Sequence, residues 1–149
     1  MPAHTFMPDT QQGATIAFSG LATFVCAAQS IPATESPVPV IDNTHLGTED
    51  QRTRMPGDLE YPKTFTVKFQ NDGMSAKPVK KSIYTVTITA PLPAGASTAE
   101  KWAGSCIVED VKSPAFEAGA NALQMIDIVL QPDGGWSYGG SKWTHTDAA

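Results

Sequence analysis

Thr64-Phe-Thr-Val-Lys-Phe-Gln70 alternates polar and apolar residues without a break. Phe65, Val67 and Phe69 fall on one side, and Thr66, Lys68 and Gln70 on the other. In a strand successive side chains point to opposite faces, so this pattern buries one face and wets the other. A helix would scatter the same residues around its surface. Tyr84-Thr-Val-Thr-Ile-Thr-Ala90 repeats the pattern with β-branched and aromatic residues, which pack well on a pleated surface. These two segments set the fold class as mainly β.

Outward from them, further strands are expected over residues 16–19, 23–31, 38–42, 102–111 and 123–130. The last is apolar on both faces apart from Gln124 and Asp127, as in a central strand or one whose second face meets a neighbouring subunit. Pro37 and Pro39 flank Val38, so that strand begins there or lies at an edge. The 12 glycines and 12 prolines are spread through the chain and punctuate short strands. Helix is scarce. Ser97-Thr-Ala-Glu100 has the form of a capping box, but Gly104 limits it to about two turns. Ser113-Pro-Ala-Phe-Glu-Ala-Gly119 reads as a single turn; both segments read equally well as loops. The expectation is one mainly β domain over residues 1–149 with at most one short helix. Residues 1–12 and 139–149 read as extended arms, loosely ordered unless a partner pins them.

Residues 43–57 form a long polar connection carrying Thr44, His45, Glu49, Asp50, Arg52 and Arg54. Compact domains rarely keep about fifteen structureless residues without a use for them. Pro56-Gly57 closes the segment as a turn whose glycine takes positive φ.

Charged residues make up 17% of the chain, below the ~25% usual for a soluble domain. Low charge is what a surface covered by partners would show. The net charge of −5 argues against a DNA-holding role, since phosphate binding needs clustered Lys and Arg. Lys77, Lys80 and Lys81 read as a solvated edge strand. No basic region leading into an apolar run marks a signal peptide, and no apolar stretch reaches membrane-spanning length, so synthesis in a cytosol is expected. Cys26 and Cys106 read as reduced thiols on buried strand faces.

The chemistry of an active site is not signalled. His4, His45 and His145 lie far apart, without metal-ligand spacing. His145 and Asp147 read as solvated tail residues. Gly134-Gly135 and Gly139-Gly140 bracket Trp136 and Tyr138 as turns. Ser105-Cys106 lacks the glycine elbow and basic partner of a nucleophile. Asp42, Asp50, Asp58, Glu60, Glu109 and Asp110 are carboxylates that nothing in the sequence selects as a pair. The expectation is a non-enzymatic protein with no catalytic residue, cofactor or metal.

Val40-Ile-Asp-Asn-Thr-His-Leu-Gly47, then Met55-Pro-Gly-Asp-Leu-Glu60, then the strand from Thr64, is an ordered set of motifs that resembles the major tail tube proteins of siphophages. The likeness extends upstream to Gly13-Ala-Thr-Ile-Ala-Phe18 and downstream to the strand ending in Pro132-Asp-Gly134, covering roughly residues 13–135. It departs from the family in the middle. Asn71 to Lys77 reads as a turn where the family places a helix.

The resemblance implies an antiparallel β-sandwich or barrel-like tail tube fold with a long loop, and a structural virion protein made in the host cytoplasm and located in the phage tail. It implies hexameric rings of the chain with itself, stacked into a tube for DNA ejection. The tape measure protein, the tail terminator and the baseplate or tail tip proteins would be its partners. DNA would pass transiently, and no membrane is involved. The 43–57 segment would reach an adjacent ring and order there. Candidate subunit-interface residues are Asp42, Thr44, His45, Asp50, Arg52, Arg54, Pro56, Gly57 and Trp143. Asp42 and Thr44 read equally well as turn caps. Trp102, Trp136 and Trp143 read as core or interface, with Trp143 on the interface side. Contractile injection systems and tailocins have tube proteins of the same fold, and they form the nearest alternative. A secreted β-sandwich ligand-binding module is the more distant one, motivated by the aromatics around Trp136.

Overall fold

The computed structural model describes residues 12–21, 24, 26–47, 51–57, 59–119, 121–134 and 143–149. Nine strands follow in order: β1 (Thr15–Phe18), β2 (Ala28–Ser30), β3 (Val40–Asp42), β4 (Arg54–Pro56), β5 (Phe65–Gln70), β6 (Ile83–Thr89), β7 (Lys101–Lys112), β8 (Met125–Pro132) and β9 (Thr144–Thr146). The described residues contain no helix. In place of the capping-box helix, β7 begins at Lys101. The backbone N–H groups of Ser97 and Thr98 donate to the Ala149 carbonyl at 2.7 and 3.0 Å. The Ser113 segment forms no helical turn either. At Ser97 tertiary pairing has overridden a local capping signal.

The main sheet runs β1-β6-β7-β8-β5-β2, with β9 added to β7, and every pairing in it is antiparallel. Its registers place the alternating apolar residues on one face. Phe18 lies opposite Val86, and Ile16 opposite Ile88. Val67 lies opposite Ile128, and Phe69 opposite Ile126. Val67, Val86, Ile128 and Leu130 are fully buried. At about 25 cal/mol per Å² of apolar surface removed from water, this face is the main source of stability.

The sheet curls enough to bring aromatic rings of β1 and β5 into contact. Phe18, on the edge strand β1, has its ring centroid 6.2 Å from that of Phe69 on β5. Phe24 closes the gap, 5.7 Å from Phe18 and 5.0 Å from Phe69, in edge-to-face arrangements that suit the ring quadrupoles. This aromatic seam makes the domain barrel-like, as the tail tube resemblance implies.

β7 keeps its inward face through a bulge. Val108 pairs with Leu130 and Asp110 with Val129, so Glu109 is the extra residue. The insertion shifts parity by one. Cys106 and Val108 point inward before it, and Val111 packs against the core after it. Lys80 caps the bulge through Asp110 at 3.2 Å. Lys81 takes φ 69° and donates its N–H to the Val108 carbonyl. These lysines form a turn docked on β7, not an edge strand.

β9 corrects the expectation of a loose C-terminal arm. Thr144–Thr146 pairs with Lys101–Ala103 beyond the end of β8, so the partner that pins residues 143–149 is the chain's own β7. The residues expected as an N-terminal arm, apart from Gln12, lie outside those described, as do residues 139–142.

Candidate functional site

The 43–57 segment is not wholly a loop. Its end is strand β4, and β3 and β4 form their own two-stranded sheet with Val40 opposite Pro56, Ile41 opposite Met55 and Asp42 opposite Arg54. The pairing continues irregularly toward the barrel. Gly57, Tyr61 and Lys63 donate N–H groups to the carbonyls of Pro39, Pro37 and Glu35. Lys63 also meets Glu35 at 2.8 Å, and Ser36 Oγ donates to Glu60. β2 and β5 therefore extend into one long arm that leaves the sheet. An extended chain from Ser30 to Asp42 spans up to about 40 Å at roughly 3.3 Å per residue.

The arm's tip is ordered by short polar side chains. Asp42 Oδ1 accepts the Thr44 N–H at 2.9 Å, and Asp42 Oδ2 accepts from Arg52 at 3.3 Å. The Thr44 side chain and backbone hold the Asp42 carboxyl below the usual carboxylate range, with a smaller contribution from Arg52. Thr44 Oγ1 accepts the Thr53 N–H, and the Asn43 N–H donates to the Thr53 carbonyl, so the ladder runs one step beyond β3. His45 Nδ1 accepts the Gly47 N–H. Asp42 and Thr44 thus cap the turn, as one of the two readings of the sequence has it. Gly57 is not among the residues with positive φ. It is glycine because a Cβ there would stand 2.8 Å from Pro39 Cγ and 3.0 Å from the Pro39 carbonyl oxygen, close to the 2.6 Å bond its N–H makes. Asp50 and Asp58 lie outside the described residues.

Both faces of this arm expose apolar side chains. Val40 is 65% exposed on the face shared with Asp42, Arg54 and Pro56, while Ile41 and Met55 are exposed on the other. Leu46 at the tip has no cover at all. An isolated two-stranded hairpin is marginal in water, and contiguous exposed apolar surface marks an interaction site. The structure brings Asp42, Thr44, His45, Arg52, Arg54, Pro56 and Gly57 together on this arm.

Trp143 is elsewhere, and its expected interface role does not fit its placement. It is 3% exposed and joins the core of its own chain. Extending the β7–β9 register by one step sets it opposite Gly104. The absent side chain of Gly104 makes the space its indole fills; a Cβ there would overlap three ring atoms. Residues 135–142, with Trp136 and Tyr138, lie outside the described residues.

A second group was missed by spacing in sequence. His145, expected in a solvated tail, is opposite Trp102, with ring centroids 5.3 Å apart. Its Nε2 lies 3.1 Å from Glu100 and 3.6 Å from Asp147. The available signal was His145-Thr-Asp147, whose period of two puts both side chains on one strand face. Glu100 joins only through pairing.

No protein-family model matches the chain, and no curated protein matches it in sequence. Among solved structures, the fold is shared with a chain in the six-fold symmetrised baseplate of the anti-feeding prophage, at TM-score 0.71 and 12% identity, covering 96% of this chain and 98% of that one. A chain in the sheath/tube terminator structure of the extracellular contractile injection system PVC matches at TM-score 0.59 and 14% identity, covering 87% and 96%. A chain in the tube-terminating cap of the anti-feeding prophage matches at TM-score 0.55 and 13% identity, covering 99% and 97%. The fold is therefore tail tube-like. One of these structures is of an extracellular contractile injection system, whereas the sequence motifs resemble siphophage tube proteins.

Proposed function

We propose that this protein is a structural subunit of a phage-tail-like particle, forming hexameric rings that stack into a tube. The observation that carries this reading is the β3–β4 arm. It projects from a tail tube-like barrel, and its apolar residues on both faces have no cover within the described chain. An arm that docks on the next ring is a heterologous contact, and such a contact repeated along an axis builds a filament. The role is mechanical and non-catalytic, with the tape measure protein, terminator and baseplate or tip proteins as partners in the finished particle. Net charge −5 suits a lumen that passes DNA without holding it, because like charges repel.

The shared fold with a chain of an extracellular contractile injection system favours a contractile-type tube over a siphophage one. Two of the structures named above are of a terminator and a cap, which supports a second reading, a single terminal ring. Negative-stain electron microscopy and sedimentation across a concentration series separate these. Growing tubes support the repeating subunit, and a closed ring that stops at six supports the terminal ring. A monomer at every concentration, also in the presence of baseplate components, refutes both.

A further inference from the structure

We infer that Glu100, His145 and Asp147 form a binding site for a divalent transition-metal ion of the zinc class, which staples β9 to the start of β7. The β7–β9 register sets Trp102 opposite His145 and Lys101 opposite Thr146. One step further, it sets Glu100 opposite Asp147. Side chains two apart on a strand share a face, so Trp102, His145, Glu100 and Asp147 occupy one face at the barrel's rim. One nitrogen and two carboxylate donors then lie within 4.8 Å of one another. Donors at about 2.1 Å from a zinc-class ion in tetrahedral or octahedral geometry stand roughly 3 to 3.5 Å apart. The observed 3.1 and 3.6 Å from His145 Nε2 require only small side-chain adjustment.

The site is also graded in a useful way. Going outward along the face, Trp143 is buried against Gly104, His145 is 16% exposed and stacked on Trp102, and Asp147 is 86% exposed. The imidazole is held in place by stacking and strand pairing, while Asp147 is free to close over an arriving ion. Water completes the coordination shell from the exposed side. Imidazole with carboxylates selects zinc, cobalt, nickel or copper over magnesium and calcium, which prefer oxygen-only shells. The inference stands apart from the assembly reading, since it concerns one chain.

The test is isothermal titration calorimetry with Zn²⁺ and visible spectroscopy with Co²⁺ on the full chain, after metal stripping. One ion per chain should bind with micromolar affinity, with cobalt bands of nitrogen–oxygen coordination and no thiolate charge-transfer band. Asp147→Asn should weaken binding at least tenfold. That side chain is exposed, so this variant keeps the fold. His145→Gln should abolish the cobalt spectrum. Zn²⁺ at saturating concentration should raise Tm in wild type but not in His145→Gln. Binding that is absent below millimolar concentration, or that is unchanged in Asp147→Asn, overturns the site. A wild-type Tm that Zn²⁺ leaves unchanged overturns it equally.

Discussion

Replacing Gly104 by alanine tests how β9 is held. The Trp143 indole lies where a Gly104 side chain would stand, and a Cβ there would overlap Cγ, Cδ2 and Cε2 of the ring. Backbone pairing fixes β7 on one side of this contact and β9 on the other, so neither partner moves freely. Overpacking of this kind costs about 1–3 kcal/mol. Removing the ring by Trp143→Ala should cost about 3–5 kcal/mol, since the side chain is 3% exposed. In that background the overlap is gone, and Gly104→Ala should turn neutral or stabilising by roughly 0.5–1 kcal/mol, because alanine loses less backbone entropy than glycine. The two changes should therefore couple by about 2–3 kcal/mol, a large value for neighbours. Urea unfolding followed by far-UV circular dichroism, at a concentration where the chain is monomeric, gives all four stabilities. Equal effects of Gly104→Ala in both backgrounds, within about 0.5 kcal/mol, would refute the packing argument.

The arm makes a different kind of prediction. Ile41→Ser with Leu46→Ser and Met55→Ser should leave monomer stability within ~0.5 kcal/mol, since exposed positions contribute little, yet abolish rings or tubes in electron micrographs. Asp72 accepts N–H bonds from Met74 and Ser75 and the Ser75 hydroxyl, and these bonds, led by the Ser75 N–H, depress its carboxyl well below the usual range. A lowered folded-state pKa adds stability that is fully present above the ordinary carboxylate pKa of about 3.9 and is lost as pH falls further. Asp72→Asn should accordingly lower Tm at pH 7 and flatten its decline below pH 4, as scanning calorimetry across pH would show. Burial pushes the Cys106 thiol up to about 12, and the residue is fully covered. Iodoacetamide at pH 8 should leave Cys106 unmodified in the native chain and label it in urea, read by peptide mass spectrometry. Modification of Cys106 at the native rate of an exposed thiol would refute its burial.

The alternating segments around Phe65 and Val86 determined strands β5 and β6 and the buried face of the sheet. A period of two is a local property, and it survives any arrangement of neighbours. The order of motifs from Val40 to Glu60 was enough to suggest an assembly protein, and most of the candidate interface residues do lie together on one arm. Local reading failed where pairing partners are distant. Ser97 to Glu100 has the letters of a helix start, but Lys101 onward is claimed by β6, β8 and β9, whose hydrogen bonds outweigh a capping preference. The polar residues before Arg54 hid strand β4, because both faces of that hairpin are exposed and its pattern carries no burial signal. The bulge at Glu109 has no sequence signature, since only the register against β8 reveals it. Trp143 and His145 were read as tail residues because nothing near them in sequence covers them. What decides their place is a strand some forty residues earlier: Gly104 leaves room for one ring, Trp102 stacks on the other, and Glu100 meets the edge of the same face. The sequence by itself set which residues prefer an apolar face, and only tertiary pairing decided which faces exist.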